Sequence, residues 1–503
     1  MTMSNLFLGV QFYSCLAAGC FFFPNSAKGA LPDADSHEAY SLTWRGKPVQ
    51  MESAVVSAMP FNRVWPGYQR NKNQTRAARF VNVCVDQCGE LVIERKGSSL
   101  PPHTLRPMSR EPLNVVDGRI VAKIKNPEQF IVDFGQALPP LHVFANPPAE
   151  RPNGGNVLYY GPGEHDVGVL SPKSGSTVFI DEGATVYGAI FVKDAHDVEI
   201  RGRGILDSSR MVRADPLAQK FRREMGLPEY DTEFACGAFT IYASTNVVVE
   251  GITIRDTPFW SLIVRNGCKN VLIDNVKVIG QWRYNSDGID ICASSDVVVR
   301  NCFVRSFDDC IVARGPYLEG EVTPVRNLLV ENCVLWCDWG KNLEVWAGHL
   351  PCVIDGVVYR NNKLIGVSLI PCDVTCWYGS TNTVIRNVAM ENLEIDLDKN
   401  RSCEVLQQTD DQVFVAKPIT QQVLWEITLN RPCINLGNQQ RGQVEDLTPY
   451  KAKVENVRFS NFNMFGETLP YVCRQRITAP GHEIKNVVVE NVPPYSLEKQ
   501  GLE

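Results

Sequence analysis

The sequence predicts an all-β protein in which a β-sandwich precedes a right-handed parallel β-helix. Two observations carry that expectation. A nine-residue unit of alternating apolar residues recurs from Asp197 onward, and the stretch before it consists of short alternating segments punctuated by Gly, Pro and Asn. No helical segment separates the repeats, which disfavours a leucine-rich solenoid.

Residues 1–30 read as a signal peptide. An apolar stretch runs from Leu6 to Phe23, and small residues between Ser26 and Ala30 offer a cleavage site. A secreted or periplasmic protein is therefore expected. Leu16-Ala17-Ala18-Gly19-Cys20 loosely resembles a lipoprotein cleavage box, which keeps a lipid-anchored form as a second option. No later stretch reaches the ~18 consecutive apolar residues of a membrane span. The net charge of −6 comes from 50 basic and 56 acidic residues without a long run of either sign, so nucleic acid is not an expected partner.

Residues 36–150 are expected to form the sandwich. Segments such as Tyr40 to Trp44, Glu90 to Glu94 and Gln129 to Asp133 alternate apolar and polar residues as antiparallel strands do, and the proline-rich run Pro139 to Pro152 marks a junction.

Residues 151–503 are expected to form the β-helix. The unit begins at Asp197 (DVEIRGRGI), Asn246 (NVVVEGITI), Asn270 (NVLIDNVKV), Asp296 (DVVVRNCFV), Asn327 (NLLVENCVL), Gly356 (GVVYRNNKL), Asn387 (NVAMENLEI), Asn456 (NVRFSNFNM) and Asn486 (NVVVENV). Starts between 246 and 387 lie 24, 26, 31, 29 and 31 residues apart, a solenoid period, while gaps of 49 and 69 leave room for enlarged coils. Alternation points every second side chain into a shared interior, and the central Asn or Gly falls where the chain must bend. Asn at equivalent turns can stack into a ladder. A solenoid also escapes the ceiling of roughly 250 to 300 residues on a single globular core.

The 17 cysteines are neither dense nor regularly paired, so most read as small core residues, with Cys302 and Cys333 in the same slot of the repeat. Cys84 and Cys88, Cys333 and Cys337, and Cys372 and Cys376 are spaced for local disulfides. No pattern of metal-ligand spacing occurs, and neither a structural metal nor a cofactor is expected.

The chemistry is expected at Asn285-Ser286-Asp287-Gly288-Ile289-Asp290 and Asp308-Asp309-Cys310. Asp287 and Asp308 are 21 residues apart, about one coil, so stacking at ~4.8 Å would set Asp287, Asp308 and Asp309 in one patch. Crowding raises at least one pKa, which lets a protonated acid and an ionised base coexist. Glycosidic cleavage by inversion needs that pair, one to protonate the leaving oxygen and one to activate water. Taken singly, each string is usually explained as a solvated turn; their one-coil register favours chemistry.

These residues resemble the Asn-Thr-Asp and Asp-Asp motifs of the polygalacturonase family and the three aspartates of the dextranase and isopullulanase family, two branches of one β-helical clan. Tyr159-Tyr160-Gly161-Pro162-Gly163, the stretch Val178 to Ile190, and Gly202-Arg203-Gly204-Ile205-Leu206-Asp207 are similar to that clan's opening coils. The likeness covers most of residues 155 to 350, and the sandwich placed first matches the dextranase branch. The resemblance implies a glycoside hydrolase with Asp308 as general acid and Asp287 and Asp309 holding the water. The polygalacturonase pattern is incomplete: Gly-His-Gly is expected one coil later, this chain offers only Gly348-His349-Leu350, 40 residues past Asp309, and no Arg-Ile-Lys that would grip a uronate follows.

Asn285, Lys341, Glu344, Trp346 and His349 are candidates to bind a polysaccharide or oligosaccharide substrate, with Trp282, Trp377 and Tyr378 behind them. Tryptophan beside polar groups suits a sugar face. Trp336 reads equally as core, and Lys341 with Glu344 as an ion pair. The loops from Arg210 to Cys236 and from Asp396 to Asp446 could close one end of a groove. Two further readings stay open: a polysaccharide lyase with calcium at the carboxylates, and a binding module without catalysis.

Overall fold

A computed structural model describes residues 40–501 apart from 59–64, 67–74, 212–236, 284, 317–323, 349, 368–369, 378–380, 399–402, 409–412, 419, 431–432, 437–439 and 444–445. The expected signal peptide, His349, Tyr378 and nearly all of the Arg210–Cys236 loop lie outside the described residues. Among those described there is no α-helix, and no helix is long and apolar enough to cross a membrane.

Two five-stranded sheets come first. One runs in the order Lys47–Pro48, Ser41–Trp44, Gly89–Glu94, Arg119–Ile124, Asn114–Val116, and the other Glu52–Ser57, Thr75–Cys84, Leu141–Asn146, Glu128–Asp133, Thr104–Arg106. Their inner faces share a core in which Leu42, Leu91, Ile93 and Ile120 meet Val81, Val83, Phe130, Val132 and Val143. Antiparallel pairing holds except between Thr75–Cys84 and Leu141–Asn146, which run parallel. That exception corrects the uniform antiparallel expectation. The two strands are far apart in sequence, so no hairpin sets their direction.

The second sheet is buried on both faces. Period-2 alternation turns Phe130 and Val132 into the sandwich and Ile131 outward. On that outer face Ala54, Val56, Phe80, Ile131 and Phe144 pack against Ile205, Ile279, Phe303, Val334, Trp336 and Ile365 of the solenoid. Trp336 is therefore core, with the Arg305 guanidinium 4.1 Å from its ring. His142 is sealed in the same interface, its Nε2 3.1 Å from Arg305.

From Val157–Tyr160 to Ser496–Gln500 the strands form one continuous 28-stranded sheet wound as a parallel β-helix. Its repeats stack in register: Val247, Val271, Val297, Leu328, Val357, Val388, Val457 and Val487 are successive partners. The leading residue of each unit, mostly Asn, takes a left-handed conformation, with φ of 55° at Asn246 and 56° at Asn270. A short amide side chain tolerates that region, where a β-branched one would not. These residues form the ladder: Asn270 Nδ2 donates to Asn246 Oδ1 at 3.1 Å and Asn486 to Asn456 at 3.0 Å. A second ladder joins the central positions, as from Asn392 to Asn361 at 3.2 Å.

The Asp396–Asp446 stretch is not a simple loop. It holds a coil strand, Gln422–Leu429, that stacks between Ile370–Cys376 and Tyr471–Ile477, flanked by hairpins of Cys403–Gln408 with Val413–Pro418 and Cys433–Leu436 with Gln440–Gln443. The cysteines suggested as local disulfides are all free thiols; Cys84 and Cys88 are exposed, the other four buried. Cys302 and Cys333 are fully buried among the valines of the solenoid core.

Candidate active site

The site is built on the outward positions of four stacked strands: Ile289–Cys292, Ile311–Arg314, Lys341–Ala347 and Ile370–Cys376. Inward residues such as Ile289, Ile291, Ile311, Leu343, Val345, Cys372 and Val374 fill the core. The alternate residues make two outward columns, Asp290, Val312, Glu344, Asp373 and Cys292, Arg314, Trp346, Thr375.

Asp287 and the Asp308–Asp309 pair sit on the turns entering the first two of these strands. Backbone bonds clamp those turns together: Gly288 N donates to Asp309 O at 2.8 Å, and Ile289 N to Cys310 O at 2.8 Å. A Cβ at Gly288 would lie 2.3 Å from Val304 Cγ1 and 2.4 Å from Cys310 O, so only glycine lets the turns approach this closely. Asn285 turns the chain with φ 53° two residues before Asp287.

The three aspartates converge. Over Gly340 an added Cβ would lie 2.5 Å from Asp309 Oδ1 and 2.6 Å from Asp308 Oδ1. Arg314 Nη2 stands 3.4 Å from Asp287 Oδ2 and 4.0 Å from Asp309 Oδ2. Lys341 closes the other side: its Nζ is 2.8 Å from Glu344 Oε1, 3.7 Å from Asp309 Oδ1 and 4.0 Å from Asp373 Oδ2, while its backbone N–H donates to Asp309 Oδ1 at 2.8 Å.

These surroundings divide the carboxyl groups. Burial, then Asp309, pushes Asp308 well above the usual carboxylate range. Burial, then Asp290, Asp308 and Asp309, does the same to Asp287. Asp309 is equally buried, but Lys341, the Glu344 carboxyl and Arg314 outweigh that and hold it below its ordinary value. Burial and Asp309 bring Glu344 up to about 7, and burial against the opposing pull of Arg314 leaves Asp290 at about 6.

A pH prediction follows from Glu344. A carboxyl whose folded pKa is raised contributes stability below its unfolded value, near 4.5, and that contribution is lost as pH rises through about 7. Glu344→Gln should therefore raise the melting temperature relative to wild type more at pH 8 than at pH 4.5; an offset independent of pH would contradict this.

Of the expected binding residues, Lys341 and Glu344 reach the aspartates. Trp346 is largely buried, a wall of the site with its ring 4.8 Å from the Arg314 guanidinium. Trp377 stands beside Trp346, ring centroids 6.4 Å apart. Trp282 donates to Asp256 at 3.1 Å. Sequence reasoning missed Arg314, Asp373 and Trp260 and gave Asp290 no role. The signal was available as polar residues at outward positions of four strands one coil apart.

Residues 184–335 match Glycosyl hydrolases family 28. The matched stretch holds Asp287, Asp290, Asp308, Asp309 and Arg314 but ends before Lys341. A polygalacturonase of Fusarium fujikuroi is 30% identical over 114 residues, 22% of this chain and 27% of the relative. Exopolygalacturonase X-1 of Emericella nidulans is 22% identical over 248 residues, 41% and 54% of the two chains. The matches thus span between a quarter and about half of these relatives. Dex49A from Penicillium minioluteum, 14% identical with a TM-score of 0.52 over 88% of each chain, shares the fold.

Proposed function

We propose that the protein is an inverting glycoside hydrolase of polysaccharide or oligosaccharide, with Asp308 as general acid and Asp287 and Asp309 as the carboxylates that hold and activate water. The observation that carries this reading is the convergence of the three carboxyl groups: Asp308 and Asp309 meet over Gly340, Arg314 stands between Asp287 and Asp309, and the Lys341 N–H donates to Asp309. Protonating a leaving oxygen while water is activated requires a pair of such groups. The family 28 match over the same turns supports it.

The relatives' names point to galacturonan, but the charges favour a neutral glycan. Among the described residues Arg314 and Lys341 are engaged by resident carboxylates, and Glu344 and Asp373 add acidic groups to the same outward column, which disfavours a uronate there. A screen of polygalacturonate and neutral glucans, with Asp308→Asn as control, tests both statements. Release of reducing ends from a neutral glycan, with inverted configuration in the first product seen by proton NMR, is the expected result. Retained configuration would end the inverting mechanism, and preferred cleavage of polygalacturonate would end the substrate assignment. An ultraviolet-absorbing double bond in the product would mean a lyase. Glycan binding unaltered by Asp308→Asn, with no sugar released, would mean a binding module.

A further inference from the structure

Arg314 is buried at the centre of the site and belongs to no assigned role. Its Nε donates to Asp290 Oδ1 at 3.0 Å, and its Nη2 stands 3.4 Å from Asp287 Oδ2 and 4.0 Å from both Asp309 Oδ2 and Glu344 Oε2. The rings of Trp260 and Trp346 lie 4.5 Å and 4.8 Å from the guanidinium carbon. Both tryptophans are buried, Trp260 stacked in turn on Phe259. A planar cation held by aromatic rings and forked to carboxylates has little freedom to reorient.

Building on the hydrolase reading, we infer that Arg314 is the positioning residue of the site: its ion pairs hold Asp287, Asp290 and Asp309 in place and favour their ionised forms, opposing the burial of Asp287, while Asp308, with which it forms no ion pair, is left to carry the proton. The other groups facing it are consistent with that task. Cys292 and Asp290 come from the preceding coil, with Arg265 one coil further, and Glu344 from the following coil, where Lys341 already binds it. Arg314 lowers the proton affinity of Asp287, Asp290, Asp309 and Glu344, and that of Asp308 as the smallest of the influences on it, so its selectivity lies in which carboxylates it pairs with. Lysine could not replace it, since a point charge cannot both fork to two carboxylates and stack on rings.

The test needs no known substrate. Potentiometric titration of the folded full-length protein between pH 5 and 8, beside Arg314→Met and Arg314→Lys, counts protons bound by the cluster. Arg314→Met should bind about one more proton per molecule in that window, and Arg314→Lys a fraction of one. An unchanged count in a variant that stays folded would overturn the inference. If Arg314→Met fails to fold, Trp346→Leu removes one ring while keeping the charge, and should shift the titration in the same direction; no shift would count against it. With a glycan that wild type cleaves, Arg314→Lys should lose kcat by about 10²-fold with KM within a few-fold, and the acidic limb of its pH profile should move upward. A merely structural role would lower the amount of active protein and leave that limb in place. A wild type that cleaves no glycan would sink the hydrolase reading, while the titration would still decide the role of Arg314 in proton allotment.

Discussion

Asp308→Asn is expected to lower kcat by about 10² to 10⁴-fold on a natural glycan and by far less on an aryl glycoside whose leaving group departs without a proton. The asymmetry follows from the assigned roles. Asparagine keeps the shape and a hydrogen-bond donor at position 308 but cannot deliver a proton to a leaving oxygen. Asp309→Asn removes the group held ionised by Lys341 and Arg314, and should lose activity equally on both substrates. Steady-state kinetics on the two substrate types separates the variants. If Asp308→Asn were equally impaired on both, Asp308 would not be the acid.

Gly340→Ala should cost about 10²-fold in kcat without changing any charged group. The added Cβ would lie 2.5 Å from Asp309 Oδ1, 2.6 Å from Asp308 Oδ1 and 2.7 Å from the Asp308 carbonyl carbon, so backbone as well as carboxylates must shift. The Asp309 carboxylate cannot retreat freely, because it accepts the Lys341 N–H at 2.8 Å. A displacement near 1 Å at reacting groups is worth about that factor. Overpacking should cost roughly 1 to 3 kcal/mol of stability, small enough for a folded protein to be assayed. Activity within a few-fold of wild type would show that the carboxylates over Gly340 need no fixed placement.

Much of the architecture was legible because a solenoid writes its geometry locally. Nearly every unit opens on an Asn or Asp that tolerates φ near 55°, followed by alternating apolar residues, so Asn246, Asn270 and Asp296 announce their coils without knowledge of distant contacts. The meeting of the three aspartates was legible for the same reason: a separation of about one coil becomes adjacency when coils stack. Arg314 was harder to find. Its partners Asp290, Glu344 and Trp346 lie on other coils, and only the register tells which outward side chains meet.

By itself, then, the chain's amino-acid order determined the β-helix, the sandwich before it and the meeting of Asp287 with Asp308 and Asp309, because these depend on period, turn chemistry and the stacking of like units. Tertiary structure alone decided that the second sandwich sheet buries Ile131 and Phe144 against Trp336 of the solenoid, and that Arg314 and Lys341 stand beside Asp287 and Asp309. Burial and charge proximity depend on distances between residues remote in the chain, and those distances exist only once the coils have closed.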